Sequence, residues 1–338
     1  MNKHVKNLIA LSITVFFTVL VIQNVQLSET IRTFKLFNVK YSLFLVPFFL
    51  VIMTLRAKRW QILLPKNNAT FTNIYDVYMT SNLLNIFLPA RAGDIFRGCF
   101  FGHKYNLSKL QTLGTVAAER ILDGLTVVFI LLFGILFYNR SKDIVEIAIT
   151  AAALFLFSFI FIVWIYKTNK IETICKTVKG AEFPPKIKQV IVTTVDKIEP
   201  LLNSFIQGFN TFADTKTLIK ASIYSILSWG GDCLFTYLLI LAFGIKVGFS
   251  ISLFIVSFLA LSTIIPSSSI YVGLYQYAFI FAMSLYGINN SKALSIALLH
   301  QGIMLVGYII VAIFFVAKNN ISIFELKKKA DEVNGKDT

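Results

Sequence analysis

The sequence predicts an all-α, polytopic integral membrane protein, and three observations carry that prediction. Of 338 residues, 56% are apolar and only 14% charged, whereas ordinary soluble domains hold about 45 to 50% apolar residues. Six apolar stretches are each long enough to cross a bilayer at about 20 residues. Two further apolar stretches run into a proline and resume as a second short apolar segment. The balance is basic, with 32 Lys and Arg against 17 Asp and Glu. With 33 phenylalanines alongside, this is not the polar, charge-dense chain of a nucleic-acid binder, a disordered tail or a soluble enzyme. Cys99, Cys175 and Cys233 lie far apart, and the histidines are His4, His103 and His300. No disulfide framework, zinc site or cofactor is expected from these.

The elements follow in chain order. Lys3 and Lys6 precede an apolar run over 8–22, and Gln23, Asn24, Val25 and Gln26 come next instead of a small-residue cleavage pattern. The run is therefore read as a retained first helix. The other five spans fall at 39–64, 108–138, 144–166, 218–243 and 291–317. The interrupted stretches, 72–88 and 250–265, end at Pro89 and Pro266. Proline cannot continue a helix unbroken, so each reads as a helix-loop-helix hairpin, re-entrant or doubly crossing. The whole chain, 1–338, forms one membrane domain of about six full spans plus two broken hairpins.

Positive charge sets the sidedness. With an internal N-terminus, inner segments hold 21 Lys and Arg and outer segments seven, which predicts cytoplasmic N- and C-termini in a plasma membrane, with 318–338 a basic cytoplasmic tail. Residues 167–217 form the one extended polar stretch. Within it Ile187, Val190, Ile191, Ile198, Leu201, Leu202, Phe205 and Phe209 recur at helical spacing, with the lysines mainly on the other face. An amphipathic helix at the inner surface and a solvated linker helix packed on the bundle both fit this pattern.

The two hairpins resemble each other. Phe71-Thr72 opens one and Phe249-Ser250 the other, with Thr72 and Ser250 as expected N-caps. Asn106-Leu107-Ser108-Lys109 then matches Asn289-Asn290-Ser291-Lys292, each introducing a long span. Two repeat units result, 39–138 and 218–317. An odd number of full crossings separates them, which predicts an inverted repeat with a site where the helices break.

The strongest chemical signal is the segment from Asn85 through Pro89, Arg91, Gly93 and Asp94 to Arg97, followed by Glu119-Arg120-Ile121-Leu122-Asp123. Six charges facing lipid at the bilayer centre, at about 2.5 to 3.5 kcal/mol each, would cost on the order of 15 to 20 kcal/mol. They must instead face one another, protein or water. Arg91 with Asp94, Asp94 with Arg97, and Arg120 with Asp123 are three apart, and Glu119 with Asp123 four apart, the spacings of one helical face. A helix starting after Pro89, interrupted again at Gly93, offers free N–H groups to an anion beside Arg91 and Arg97. Arginine grips phosphate through two parallel hydrogen bonds. A closed ion-pair network that only fastens the hairpin to the next helix fits the same spacing. Asp232, His300 and Gln301 are single polar residues in the second half, and its hairpin carries Ser267, Ser268, Ser269 and Tyr271 rather than charges.

These segments, with the Arg59-Trp60 pair and the loop from Pro266 to Gln276, resemble the lysylphosphatidylglycerol synthase transmembrane-region family, also called flippase-like domain proteins. The resemblance covers nearly the whole chain. It implies a domain that moves lipid, in the best-known relatives an aminoacylated phosphatidylglycerol, between leaflets. The large aminoacyl-transfer domain of bifunctional relatives is not expected here, so modified lipid would come from a partner enzyme. At the second loop Ser269, Ile270 and Tyr271 stand where the family usually has Pro-Gly-Gly; Gly273 is retained, and Gln276 replaces an acid. The expectation is a flippase for an anionic phospholipid or polyprenyl-phosphate-linked lipid. Arg91, Arg97, Arg120 and Asn85 would bind substrate and Asp94, Glu119 and Asp123 would hold the charge network. A membrane-embedded glycosyl or headgroup transferase, and a non-catalytic accessory protein, are the alternatives.

Overall fold

A computed structural model describes residues 3–88, 91–137, 142–168, 170–181, 183–263 and 273–319. All regular structure among them is helical. Pro89 and the second loop from 264 to 272, with Pro266, Ser267, Ser268, Ser269 and Tyr271, lie outside the described residues, as does the tail from 320.

The first apolar run forms α1 (Lys3–Gln23). It is followed by α2 (Leu27–Phe34), set 84° to it. Patterning did not anticipate α2. The short helix lies against the start of the last long helix, where the Gln26 N–H donates to the Ser291 hydroxyl at 2.9 Å and Ser295 Oγ donates to the Thr30 carbonyl at 2.9 Å. The remaining expected spans appear as α3 (Lys40–Leu63), α6 (Lys109–Ile135), α7 (Lys142–Lys167), α10 (Thr215–Ala242) and α13 (Asn290–Asn319). By length and composition alone, two described helices qualify as membrane-crossing, Thr215–Ala242 and Asn290–Phe314. The bent pair Thr14–Gln23 and Leu27–Phe34 would make a third. Both α3 and α6 are longer than 20 residues, but they carry the arginines and acids of the charge network.

The first hairpin is α4 (Phe71–Phe87) and α5 (Ala92–Lys104); the second is α11 (Ser250–Ser262) and α12 (Leu274–Ser284). At 1.5 Å per residue, the 13 residues of α5 and of α11 span about 20 Å and the 11 of α12 about 17 Å. These limbs are shorter than the roughly 30 Å hydrocarbon layer. The expected caps shift. Thr70, not Thr72, caps α4 by accepting from the Asn73 N–H at 3.4 Å. Phe249 occupies the cap position of α11 with no side-chain bond, leaving Ser250 one residue inside. Ser108 does cap α6, whereas on α13 the capping acceptor is Asn289 Oδ1, 2.8 Å from the Ser291 N–H.

The polar stretch folds as α8 (Lys170–Gly180) and α9 (Pro185–Gln207), then a single 3-10 turn, Asn210–Phe212. Lys179 clasps α8 to α9 through Asp196 at 2.6 Å and Glu199 at 2.7 Å. The end of α9 seats on α6 at Gly114 and Gly208, where a Cβ on Gly114 would stand 2.1 Å from the Phe205 carbonyl. Asp214 caps α10 from the Lys216 and Thr217 N–H groups and the Thr217 hydroxyl, contacts that hold its carboxyl below the usual range.

The largest apolar core joins α3, α4, α12 and α13 around Phe49, Trp60, Tyr78 and Phe279. A second core, with Leu63, Leu122, Phe209 and Phe212, fastens α9 and the 3-10 turn to α3, α6 and α10. Cys99, Cys175 and Cys233 are free thiols.

Candidate functional site: an arginine-walled cavity at the hairpin break

The charges gather where α3, α5, α6 and α10 meet. Arg97 donates to Glu119 Oε2 at 2.6 Å and stands 3.7 Å from Asp94. Arg120 makes a forked contact with Asp94, with Nε and Nη2 at 3.1 and 2.8 Å from Oδ2, and reaches Asp123 at 3.1 Å. The predicted three-and-four spacing therefore does produce pairs within α5 and within α6, but the shortest contacts run between the two helices.

Two cations stand outside the expected charge network. Arg56 and Arg59 sit in a basic run, Arg56-Ala57-Lys58-Arg59, at the inner end of the 39–64 span and count among the inner cations; both belong to α3. Arg59 is fully buried. Its Nη1 donates to Asp123 Oδ1 and to Ser225 Oγ, each at 2.7 Å, and its Nη2 donates to Glu119 Oε1 at 2.8 Å. Arg56 pairs with Asp232 on α10. The i, i+3 spacing of Arg56 and Arg59, with Lys58 turned instead onto the Phe71 ring at 3.8 Å, was the available signal. Taking both from the inner tally leaves 19 inner cations against seven outer, so the charge asymmetry survives.

The network differs from the expected set of three cations and three carboxylates. Four arginines, Arg56, Arg59, Arg97 and Arg120, pair with four acids, Asp94, Glu119, Asp123 and Asp232. Arg91 makes no ion pair among the described residues; its guanidinium bonds the Thr263 hydroxyl at the end of α11, joining the two hairpins. Its backbone is left-handed, φ 54° and ψ 40°, at the cap position of α5. A side chain there costs about 1 to 2 kcal/mol.

A cavity of about 450 Å³ opens beside this network. Arg56, Arg91, Arg120, Asp123, Asn82 and Asn85 line it from the first half, and Trp229, Asp232, Thr236, Tyr275, His300 and Gln301 from the second. Val127, Phe155, Val256 and Leu259 supply an apolar wall. His300 is fixed between Thr236 Oγ1, 3.0 Å from its Nε2, and the Tyr275 hydroxyl, 2.6 Å from its Nδ1. Thr236 already donates to the Asp232 carbonyl at 2.8 Å, so its oxygen accepts from Nε2–H, and Tyr275 donates to Nδ1 of the neutral ring.

Several expected site residues stand elsewhere. Arg97 and Glu119 are completely buried and are absent from the cavity wall. The Arg97 guanidinium lies against both the Trp60 and Tyr78 rings, 4.5 and 4.7 Å from their centroids, which places a predicted substrate contact inside the packing instead. The N-terminus of α5 already has partners within the chain: Asp94 lies in its first turn, its N–H donates to Asn85 Oδ1 and its carboxylate accepts from Asn85 Nδ2, both at 3.1 Å. Gly93 does not interrupt α5. A Cβ there would stand 2.0 Å from the Ser81 carbonyl, so this glycine lets α4 and α5 touch. Gly273, with φ 83°, starts α12 against α1, where a Cβ would meet Thr18 Oγ1 at 2.6 Å. Gln276 Oε1 accepts from the Gly273 N–H at 2.8 Å, and its Nε2 donates to Gln301 at 2.7 Å. The first of these is a bond that a carboxylate at this position would also make. Among the described residues no three His, Cys, Asp or Glu side chains converge as a metal site.

Broken helical hairpins around a cavity walled by arginines, in an apolar helical bundle, define a membrane protein built to hold charge away from bulk water. The chain belongs to the family described as the lysylphosphatidylglycerol synthase TM region, whose model matches residues 7–312. It is also similar to the UPF0104 membrane protein MJ1078 of Methanocaldococcus jannaschii, 24% identical over 247 residues that cover 70% of this chain and 95% of the relative. No solved structure matches it.

Proposed function

We propose that this protein is a lipid translocase, which carries the headgroup of an anionic phospholipid or polyprenyl-phosphate-linked lipid through the cavity while the tails stay in the bilayer. The observation that carries this reading is the cavity wall: three arginines face it against two carboxylates, and Arg91 is the one whose guanidinium ends on a neutral hydroxyl. A phosphate is the natural partner for such a fork. Arg120 and Arg56 would exchange Asp94, Asp123 and Asp232 for the incoming anion, and Asn85 would keep Asp94 in place during the exchange. Arg97 and Glu119 would hold this frame without touching lipid. The apolar wall suits the first carbons of the tails. Six crossings, an inverted pair of hairpin units and cytoplasmic termini in a plasma membrane complete the proposal.

The left-handed backbone at Arg91 supplies the variant that tests it. Arg91→Gly removes the guanidinium and relieves the strained conformation, so the fold should hold or gain about 1 kcal/mol. In reconstituted vesicles the parent chain should move labelled anionic phospholipid between leaflets, with transport lost in Arg91→Gly and partly kept in Arg91→Lys. Covalently altered lipid in those vesicles would favour a transferase. Equal transport by parent and Arg91→Gly would end the assignment of the phosphate to Arg91.

A further inference from the structure

We propose that α8 and α9 form an in-plane hairpin seated on an anionic lipid surface, with the apolar stripe of α9 in the acyl boundary and its flanking lysines on headgroup phosphates. At 100° per residue, Ile187, Val190, Ile198, Leu201 and Leu202 fall within an arc of about 120°. All five are exposed, Val190 at 66% and Leu201 at 52%. Thr194 lies in the same arc, and its hydroxyl is satisfied by the Val190 carbonyl at 2.7 Å, so the stripe presents no unmet donor to an apolar medium.

The opposite face is the polar one. Asp196 and Glu199 point to α8, where Lys179 holds them. Lys188 and Lys197 stand at the two edges of the stripe, about 100° and 80° from its centre. The lysines thus flank the apolar face, correcting the expectation that they oppose it. That is the arrangement in which long cationic side chains snorkel to headgroups while the stripe enters the membrane.

Continuity with the bundle fixes which way the stripe faces. The same arc continues into Phe205, which packs with Phe209 and Phe212 on the membrane helices. The contact with α6 is at Gly114, five residues into that helix, or roughly 8 Å below its start at 1.5 Å per residue. One end of the stripe is therefore anchored on α6 near that helix's start, and the exposed remainder lies on the same face of α9. On α8, Ile174 and Val178 add exposed apolar surface one turn apart.

Spin labels on the full chain test this. Cys99, Cys175 and Cys233 are changed to alanine, and Val190→Cys, Leu201→Cys and Thr193→Cys are labelled separately. The vesicles are equal parts phosphatidylcholine and phosphatidylglycerol. Positions 190 and 201 should show severalfold greater collision with oxygen than with a water-soluble nickel chelate, and position 193 the reverse. Nickel access at 190 and 201 would mean a solvated linker and overturn the proposal. Shielding from both probes would mean a protein partner or second copy, and would overturn it too. Lys188→Gln with Lys197→Gln should lower the oxygen preference at 190 in these vesicles but not in pure phosphatidylcholine; no change in either overturns the headgroup assignment. Should the cysteine-free chain not fold, Val190→Trp in the parent chain gives the same answer. Its added fluorescence should be quenched more by brominated phosphatidylglycerol than by brominated phosphatidylcholine, and no added quenching by either overturns the proposal.

Discussion

Glu119→Gln is the sharpest probe of the charge network, because it changes one atom and no volume. In the parent chain Glu119 accepts from Arg97 at 2.6 Å, Arg59 at 2.8 Å and the Tyr78 hydroxyl at 3.4 Å, with no exposure to solvent. Removing one partner of a buried ion pair costs about 3 to 5 kcal/mol, since the other charge stays buried and uncompensated. Two arginines are affected, but neither is left bare. Arg59 keeps Asp123 at 2.7 Å, while Arg97 keeps only Asp94 at 3.7 Å, a carboxylate that Arg120 already holds at 2.8 Å. The loss should therefore sit near the lower end, about 3 kcal/mol, roughly a hundredfold in the folded-to-unfolded ratio. Unfolding by dodecyl sulfate in mixed micelles, followed by tryptophan fluorescence, measures it. Adding Arg97→Met to Glu119→Gln should recover part of the loss, because the stranded cation is gone. A Glu119→Gln chain within about 0.5 kcal/mol of the parent would refute the picture of Glu119 and its two arginines sealed from water.

Three other outcomes are expected. Gly93→Ala should destabilise by about 3 kcal/mol in the same assay, the upper end for overpacking, because the obstacle is the Ser81 carbonyl and not a movable side chain. Gly114→Ala pushes against the Phe205 carbonyl; limited proteolysis should cut 181–207 faster while leaving the rest of the bundle intact. The hydrogen bonds of Lys179 to Asp196 and Glu199 raise its pKa above the usual lysine value. A raised lysine pKa means the clasp is fully formed below the unfolded value, about 10.4, and is lost as pH rises through the folded value. Amide exchange in α8, corrected for intrinsic rate, should accordingly stay flat to about pH 10 and rise only above it.

The helices were legible because apolar length is a direct consequence of the bilayer or core they occupy. The segment around Arg91 and Arg120 stood out for a related reason, since charge flanked by apolar residues has few stable solutions. Arg56 and Arg59 were hidden by the opposite context. Lys58 and Lys66 nearby made a basic run that looks like a loop, and only the fold reveals that α3 turns the two arginines inward. Asp232, recognised as a lone acid, was the missing clue: an unaccompanied carboxylate in an apolar helix requires a cation from elsewhere, and Arg56 is that cation. The bend between α1 and α2 left no mark in hydrophobic periodicity, because it depends on Ser291 and Ser295 more than 260 residues away. Gly93 was misread as a break because a glycine between a proline and an acid looks like loop, whereas contact with α4 sets its role.

The aromatic seat of Arg97 has a consequence for motion. Among the described residues its Nε and Nη1 find no acceptor, and the faces of Trp60 and Tyr78 take their place. A buried guanidinium resting on two rings and paired with Glu119 cannot swing toward a passing anion without giving up those contacts. Arg59, locked among three oxygen-bearing partners, is equally anchored. The five arginines thus divide into a fully buried pair and a cavity-facing trio, so that burial, more than charge, separates pillar from hand.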